Sequence, residues 1–322
     1  MPRHSQPRSG SMQFWPRKRA RKFLPSVNWE AIPKEDKGRE GFLGFIVYKI
    51  AMASCSVKDN TQHSLTKGKK IIIPATILEA PPLKILSIRF YKNGKIVKEV
   101  FVGSDKELKR KIRLSKKQEK KDKADLRIEK DYDKICVVVY SLVSRTNIKK
   151  TPDIAEIGIS GAKEKQLEFV KNFIHKDIMI SDIFSGGLVD ARGLTKGKGL
   201  QGPVKRFGVS LRQHKSEKGV RKVGSIGPWH PAHVSYRVAM AGQTGFFTRV
   251  CYNNKIISIG KISEKNINPQ EGFRHYGKIK TDYIIVKGSV PGPAKRQLLL
   301  TEALRPSKKQ SKKNYEFIEI VK

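Results

Sequence analysis

Residues 83–103 read LKILSIRFYKNGKIVKEVFVG. Two apolar runs rich in β-branched residues flank Asn93-Gly94, a dipeptide whose two positions accept the positive φ that a tight two-residue turn demands. The spacing predicts an antiparallel hairpin. Upstream, GFLGFIVYKIAMA (41–53) and KKIIIPATILEA (69–80) read as buried strands. Downstream, ICVVVYSLV (135–143), DIMISDIF (177–184), FFTRVCYNNKIISIGKI (246–262, a hairpin turning near Asn253-Asn254) and DYIIVKGSV (282–290) add further strands. Many short strands at close spacing predict a barrel or sandwich. One region departs from this pattern. In SGAKEKQLEFVKNFIHK (160–176), Leu167, Val170 and Ile174 recur at helical spacing, with Ser160 near the start. Ser104-Asp105 is placed to cap a short helix over ELKRKI. Residues 104–131 hold twelve basic and seven acidic residues, the composition of a solvated excursion. The fold class is therefore mainly β, with an α+β insertion over 104–177.

Charge decides the function class. The 322 residues carry 67 Lys+Arg against 29 Asp+Glu, a formal net charge of +38. No internal repeat is visible, so one or two domains are expected, and a chain this long buries a sizeable core. So large an excess repels itself in a compact fold unless a polyanion neutralises it. Nucleic acid is the commonest such partner. Cys55, Cys136 and Cys251 are far apart and odd in number, which suggests neither a disulfide framework nor a zinc ribbon and leaves reduced core thiols. No apolar leader opens the sequence, and the longest apolar stretch, 41–53, carries Lys49 and is too short to span a bilayer. A soluble, intracellular protein with no membrane partner is expected.

Two segments concentrate the basic charge. Residues 1–29 hold seven Arg/Lys and no acid, with Phe14, Trp15, Phe23 and Trp29 interleaved and Pro2, Pro7, Pro16 and Pro25 opposing helix. An extended arm follows, suited to meet phosphates with guanidinium planes and to stack aromatics on bases. Residues 191–237 hold eleven Arg/Lys, eight glycines and a single acid, Glu217. A glycine-rich basic loop of that length inside a compact domain is uncommon unless functional. Its first part, TKGKGLQGPVKRFG (195–208), matches G-x-G-x-x-G at Gly197, Gly199 and Gly202. A dinucleotide turn runs straight from strand into helix, whereas twelve residues separate Phe184 from Gly197 and Pro203-Val204 follow. Close backbone approach to RNA phosphates, with Lys196, Lys198, Lys205 and Arg206 supplying charge, explains the composition better. Its second part, SIGPWHPAHVSYR (225–237), stiffens Trp229 between Pro228 and His230-Pro231, as if to hold the indole at a loop tip.

Catalytic and cofactor signals are weak. No G-x-S-x-G or H-E-x-x-H motif is present, and Asp177 and Asp182, five apart on an expected strand, face opposite ways. His214, His230 and His233 lack a neighbouring cysteine or carboxylate to complete a metal shell. No catalytic residue, cofactor or metal is expected. An RNA-modifying enzyme would share the basic surface but should carry a cofactor motif or clustered catalytic groups; a free-standing nucleic-acid chaperone or DNA architectural protein is the other rival, and it would not stay in one stable ribonucleoprotein.

The stretch DARGLTKGKGLQGPVKR (190–206) resembles the signature of the universal large-subunit ribosomal protein L3 family. RKVGSIGPWHPAHVSYRVAMAGQTG (221–245) is similar to that family's tryptophan finger, and MAGQTGFFTRV and IVKGSVPGPAKR to its later strands. PRSGSMQFWPRKRA resembles its archaeal and eukaryotic branch. The resemblance spans nearly the whole chain. It implies an elongation-factor-like β-barrel core with a long basic N-terminal arm and an internal finger loop. The barrel would bind near the 3′ end of the rRNA and help nucleate assembly. The finger would extend toward the peptidyl transferase centre, with Trp229 and His230 at its tip. Large-subunit rRNA and neighbouring ribosomal proteins are the implied partners, and the large subunit in the cytoplasm is the implied location. The eukaryotic finger commonly carries Thr-His-Arg-Gly where this chain has Ser216-Glu217-Lys218-Gly219, so that histidine's role is not carried over. The expected division is an arm at 1–39, a first barrel part at 40–103, the insertion at 104–177, a second barrel part at 178–306 containing loop and finger at 191–240, and a basic tail at 307–322. The expected RNA ligands are Arg3, Arg8, Trp15, Arg17, Lys18, Arg19, Arg21 and Lys22 in the arm and Lys196, Lys198, Lys205 and Arg206 in the glycine loop. Arg212, Arg221, Lys222, Trp229, His230 and Arg237 complete the set in the finger.

Overall fold

The computed structural model describes residues 8–32, 41–103, 105–113, 132–146 and 148–321. Along the chain come β1 (Gly41–Phe42), β2 (Gly44–Asp59), β3 (Lys70–Ala80), β4 (Leu83–Lys92), β5 (Lys95–Phe101), β6 (Lys134–Ser141), β7 (Ile154–Ser160) and α1 (Lys163–Phe173). There follow β8 (Leu188–Leu194), β9 (Leu200–Gln201), α2 (Pro203–Phe207), β10 (Gly242–Gln243), β11 (Thr248–Gly260), β12 (Asp282–Lys287), β13 (Gln297–Glu302), α3 (Lys308–Ser311) and β14 (Tyr315–Val321). The protein is mainly β, as its alternating and continuous apolar runs require.

The chain divides into two compact units: Met1–Phe23 with Leu194–Arg249, and Leu24–Gly193 with Val250–Lys322. The second unit contains two large sheets. In the first, the strand order is β13-β8-β11-β12-β3-β2-β14, and β13 also pairs with β2. Six strands thus form a closed circuit of pairings, with β14 added outside it on β2. The other sheet has the order β1-β7-β6-β4-β5. The Asn93-Gly94 hairpin of β4 and β5 therefore joins the sheet of β6 and β7, with β4 pairing β6, rather than the sheet of the preceding β2 and β3 with which the sequence groups it. Both turn residues have positive φ, 50° and 74°, as the two-residue loop needs.

Both sheets feed one apolar core that includes Phe45 and Ile46 of β2, Ile88 of β4, Val137 and Val139 of β6, Val170 of α1 and Leu298–Leu300 of β13. A buried polar node joins them. The Tyr48 hydroxyl donates to Asp153 Oδ2 at 2.6 Å and lies 2.8 Å from Ser141 Oγ. Burial, and then the Asp153 charge, push the Tyr48 hydroxyl well above its ordinary pKa, so it is the proton donor of this node. Trp29 belongs to the same core at 7% exposure. It packs so closely that a Cβ at Gly158 would lie 2.8 Å from its own Cβ. Its placement in a nucleic-acid-binding arm is thereby corrected: an indole with Gly44 and Gly158 as neighbours gains more from burial than from solvent.

Four local expectations are corrected. Residues 177–184 do not form a strand. Ile178 makes a single antiparallel bridge to Leu83, and Ile180–Asp182 is a 3-10 turn. Asp182 accepts from the Met179 backbone N–H at 2.8 Å, and this local bond turns Ile180 and Ile183 inward together, which alternation would not do. Residues 246–262 do not form a hairpin, because β11 runs through Asn253-Asn254. Asn253 takes positive φ, 58°, but its N–H donates to Asp190 Oδ1 at 2.8 Å, so the strand bends instead of reversing. Pro203 and Val204 do enter a helix, α2, with proline at its first position where no N–H is needed. The short helix at Lys106–Arg110 forms, but Asp105 makes no cap bond and instead accepts from Tyr140 Oη at 2.6 Å and Lys84 Nζ at 3.3 Å.

Candidate nucleic-acid interface

The other unit, Met1–Phe23 with Leu194–Arg249, carries eighteen Arg/Lys in sequence and one acid, Glu217. Such a segment needs internal organisation that does not depend on ion pairs, and aromatic rings supply it. The Trp15 and Phe207 rings stack at 5.8 Å, and Phe207 is fully buried. The Arg17 guanidinium sits 4.2 Å above Phe207, with Arg206 and Arg8 at 5.0 and 5.4 Å from the same ring. Cations over ring faces are attracted by the quadrupole, so one phenyl group holds three arginines near each other.

Backbone carbonyls complete the arrangement. Arg206 donates from Nε to Gln243 O at 3.0 Å and from Nη1 to Met240 O at 2.8 Å. Arg17 Nη1 donates to Arg206 O at 3.2 Å, and the Ser9 N–H to Phe207 O at 2.6 Å. Burial, followed by Arg206, Arg8 and Arg249, lowers the Arg17 pKa, and burial lowers that of Arg206. The Arg17 shift marks positive charge held close to like charge, and the Arg206 shift marks a guanidinium partly withdrawn from solvent.

The glycine loop is built on the same frame. β9 pairs antiparallel with β10, Gly242 opposite Gln201, and the Lys198 N–H donates to Thr244 O at 2.9 Å. Gly245 has φ +73°, and a Cβ there would fall 1.9 Å from Lys196 O, so this turn admits only glycine. Phe246 receives Arg19 over its face at 5.0 Å and Phe23 at its edge at 5.5 Å, while its carbonyl accepts from the Ala20 N–H at 3.0 Å. The glycine fingerprint lies closer to a strand and a helix than its sequence suggested. Yet α2 is only five residues long and β9–β10 is antiparallel, so no βαβ unit is formed.

The expected ligands separate into two groups. Arg8, Trp15, Arg17 and Arg206 gather around Phe207, and Arg19 lies on Phe246, so these side chains organise the unit itself. Lys18, Arg21, Lys22, Lys196, Lys198, Lys205, Arg212, Arg221, Lys222, His230 and Arg237 are exposed, and Trp229 is 89% exposed. Tyr236 connects the groups, edge-on to Trp15 at 5.9 Å and 5.8 Å from the Arg237 guanidinium. Arg3 lies outside the described residues. Arg249 was missed: it covers Phe14 at 4.5 Å and Phe247 at 5.3 Å. Its place in FFTRV, two positions after an aromatic pair, was the available signal.

This arrangement offers a stiff base, an outward set of ammonium and guanidinium groups, and a solvated indole. It can engage a polyanion with stackable faces. The profile of the ribosomal protein L3 family matches residues 1–320. The chain is 42% identical to the large ribosomal subunit protein uL3 of Methanocaldococcus jannaschii over 315 residues, covering 94% of this chain and 92% of that protein. It is 39% identical to uL3 of Archaeoglobus fulgidus, covering 95% and 94% of the two chains. It is 41% identical to uL3 of Methanobrevibacter smithii, covering 96% and 95%.

Proposed function

The chain belongs to the ribosomal protein L3 family, and from that membership we propose that it is a structural, non-enzymatic constituent of the large ribosomal subunit in the cytoplasm, binding large-subunit rRNA. The observation that carries the RNA reading is the unit of Met1–Phe23 and Leu194–Arg249, whose eighteen cations face one acid. Neutralising phosphates releases condensed counterions, so such a surface gains most of its affinity from the backbone of a nucleic acid. The closed circuit of β2, β3, β12, β11, β8 and β13 is read as a β-barrel of the elongation-factor type, supported by the two partners of β13. The hairpin of β4 and β5 is grouped with the inserted α+β region whose strands it pairs.

The proposed mechanism is positional. Phe207 and Phe246 hold Arg17, Arg206 and Arg19, which fixes the arm against the base of the glycine loop. Lys196 and Lys198 are then exposed beside a turn whose geometry Gly245 sets, and Lys205 is exposed on α2. Against rRNA they screen phosphates of neighbouring helices. The finger extends toward the peptidyl transferase centre, where the exposed Trp229 stacks on an unpaired base. The core nucleates assembly near the rRNA 3′ end, and its outer faces receive neighbouring ribosomal proteins. The family resemblance and the exposure of these groups support this picture.

Sedimentation of the tagged chain with large subunits after a high-salt wash tests it. Retention is expected for a component threaded between RNA helices. Loss from the subunit, with the free protein still binding unrelated RNAs, would sink the proposal in favour of a chaperone.

A further inference from the structure

A second concentration of cations lies in the other unit, where the sequence suggested only a basic tail. Arg305, Lys308, Lys309, Lys312 and Lys313 fall within the nine residues 305–313, shortly after β13. They do not sit on a free tail. The segment is held at its start, where Leu304 N–H donates to Asp190 Oδ2 at 3.0 Å and Ser307 N–H to Asn253 Oδ1 at 3.2 Å. It is held at its end, where Asn314 N–H donates to Thr61 Oγ1 at 3.0 Å and Asn314 O accepts from the Asn60 N–H at 2.9 Å. Between these anchors α3 brings Lys308 and Lys312 to the same side of one turn, a like-charge pair that weakens a helix.

Two half-buried lysines join them from the barrel strands. Lys255 of β11 donates from Nζ to Ser311 O at 3.4 Å. Lys287 of β12 donates to Tyr315 Oη at 2.9 Å and lies 4.9 Å from that ring. Among the described residues no carboxylate forms an ion pair with any of these seven cations. The acids that follow are engaged elsewhere: Glu316 accepts from Asn60 Nδ2 at 3.1 Å, and Glu319 pairs with Lys70 at 3.0 Å. Burial lowers the Lys255 pKa, which is the cost of keeping a desolvated ammonium with only neutral partners.

We infer that the face formed by residues 305–313 with Lys255 and Lys287 is a second phosphate-binding surface for the large-subunit rRNA backbone, separate from the arm and finger. This rests on the RNA-binding reading above. A fixed row of cations without carboxylates is strained by its own repulsion in the free protein, and a run of phosphates removes that strain. A solvated tail would instead be unanchored, and a surface serving solubility alone would mix both signs of charge. Pre-ordering the lysines reduces the entropy lost on binding.

The test is the salt dependence of the full chain binding a full-length large-subunit rRNA transcript. It compares wild type, K308Q/K309Q/K312Q and, as a marker of the other unit, K196Q/K198Q/K205Q. Each lost phosphate contact lowers the slope of log Kobs against log salt by about 0.7–0.9, so the first variant is expected to lower it by about 2–3. It should also lose backbone protections in hydroxyl-radical footprinting that the second variant keeps. Its thermal midpoint should stay level or rise as repulsion is relieved, which separates loss of contact from loss of fold. A wild-type slope and footprint in K308Q/K309Q/K312Q, alongside a reduced slope in K196Q/K198Q/K205Q, overturns the inference and leaves this face to a protein partner. Salt-independent behaviour of the wild type overturns the RNA-binding reading itself.

Discussion

The guanidinium of Arg17 rests 4.2 Å from the centre of the Phe207 ring, 190 positions further along the sequence. This contact makes the arm part of the glycine-loop unit rather than a free appendage. It also shows how arginines gather here without carboxylates: ring faces and carbonyl oxygens receive Arg8, Arg17 and Arg206.

Phe207→Ala therefore should release the arm. Removing a fully buried ring costs about 3–5 kcal/mol at a site that cannot collapse. Arg17→Ala removes a cation–π contact and its carbonyl bond and should cost about 1–2 kcal/mol. Limited thermolysin digestion reads the difference: cleavage within residues 8–23 is expected to accelerate most in Phe207→Ala and less in Arg17→Ala. Equal rates in all three proteins would show that the arm is held some other way.

Asp190 of β8 fixes the chain where β11 bends and where it leaves β13. It is fully buried, and its two oxygens accept from Asn253 N–H at 2.8 Å and Leu304 N–H at 3.0 Å. Asp190→Asn presents an amide N–H₂ to one of those donors and leaves it unpaired, a loss of about 1–3 kcal/mol. A lower urea midpoint is expected, together with faster exchange of the Asn253 and Leu304 amides. Unchanged exchange at both amides would contradict this role.

Much of the fold was legible because the sequence signals were local. Asn93-Gly94 specified its turn, the run 163–173 its helix, and Ile135–Tyr140 a strand buried on both faces. The misreadings share a cause. Asn253-Asn254 looks like a turn, but the partner that keeps the strand from reversing there, Asp190, is distant in sequence. DIMISDIF has the composition of a strand, and only the Asp182 bond to Met179 makes it a 3-10 turn. At the candidate interface the cations were legible as a class, yet which of them hold the unit together depended on Phe207 and Phe246, neither distinguishable in sequence from an ordinary core aromatic. Trp29 shows the reverse, a core residue that basic neighbours made look like an arm residue.

Asp59 gives the protein an acid limit. Burial would raise its pKa, but hydrogen bonds from Thr61, Thr66 and Ser64, the last at 2.9 Å, outweigh that and hold the carboxyl far below its ordinary range. A depressed folded-state pKa contributes stability that is present above the unfolded value of about 3.9 and is lost as pH falls below it. The urea midpoint of the wild type is expected to fall between pH 6 and pH 3. In Asp59→Asn it should start lower at pH 6 and fall less. Parallel pH curves for the two proteins would refute the assignment.

Trp229 separates folding from function most cleanly. At 89% exposure its ring contributes little to the free protein, so Trp229→Ala should leave the thermal midpoint within the small range typical of surface changes. Stacking an exposed indole on a base is worth about 1–3 kcal/mol. The variant should therefore bind large-subunit rRNA roughly 5- to 150-fold more weakly, at constant salt and with the salt slope unchanged, because no phosphate contact is removed. A slope change would mean that the finger backbone had moved its lysines. Unaltered affinity would mean that the indole meets no base, and the proposed stacking role of Trp229 would fall.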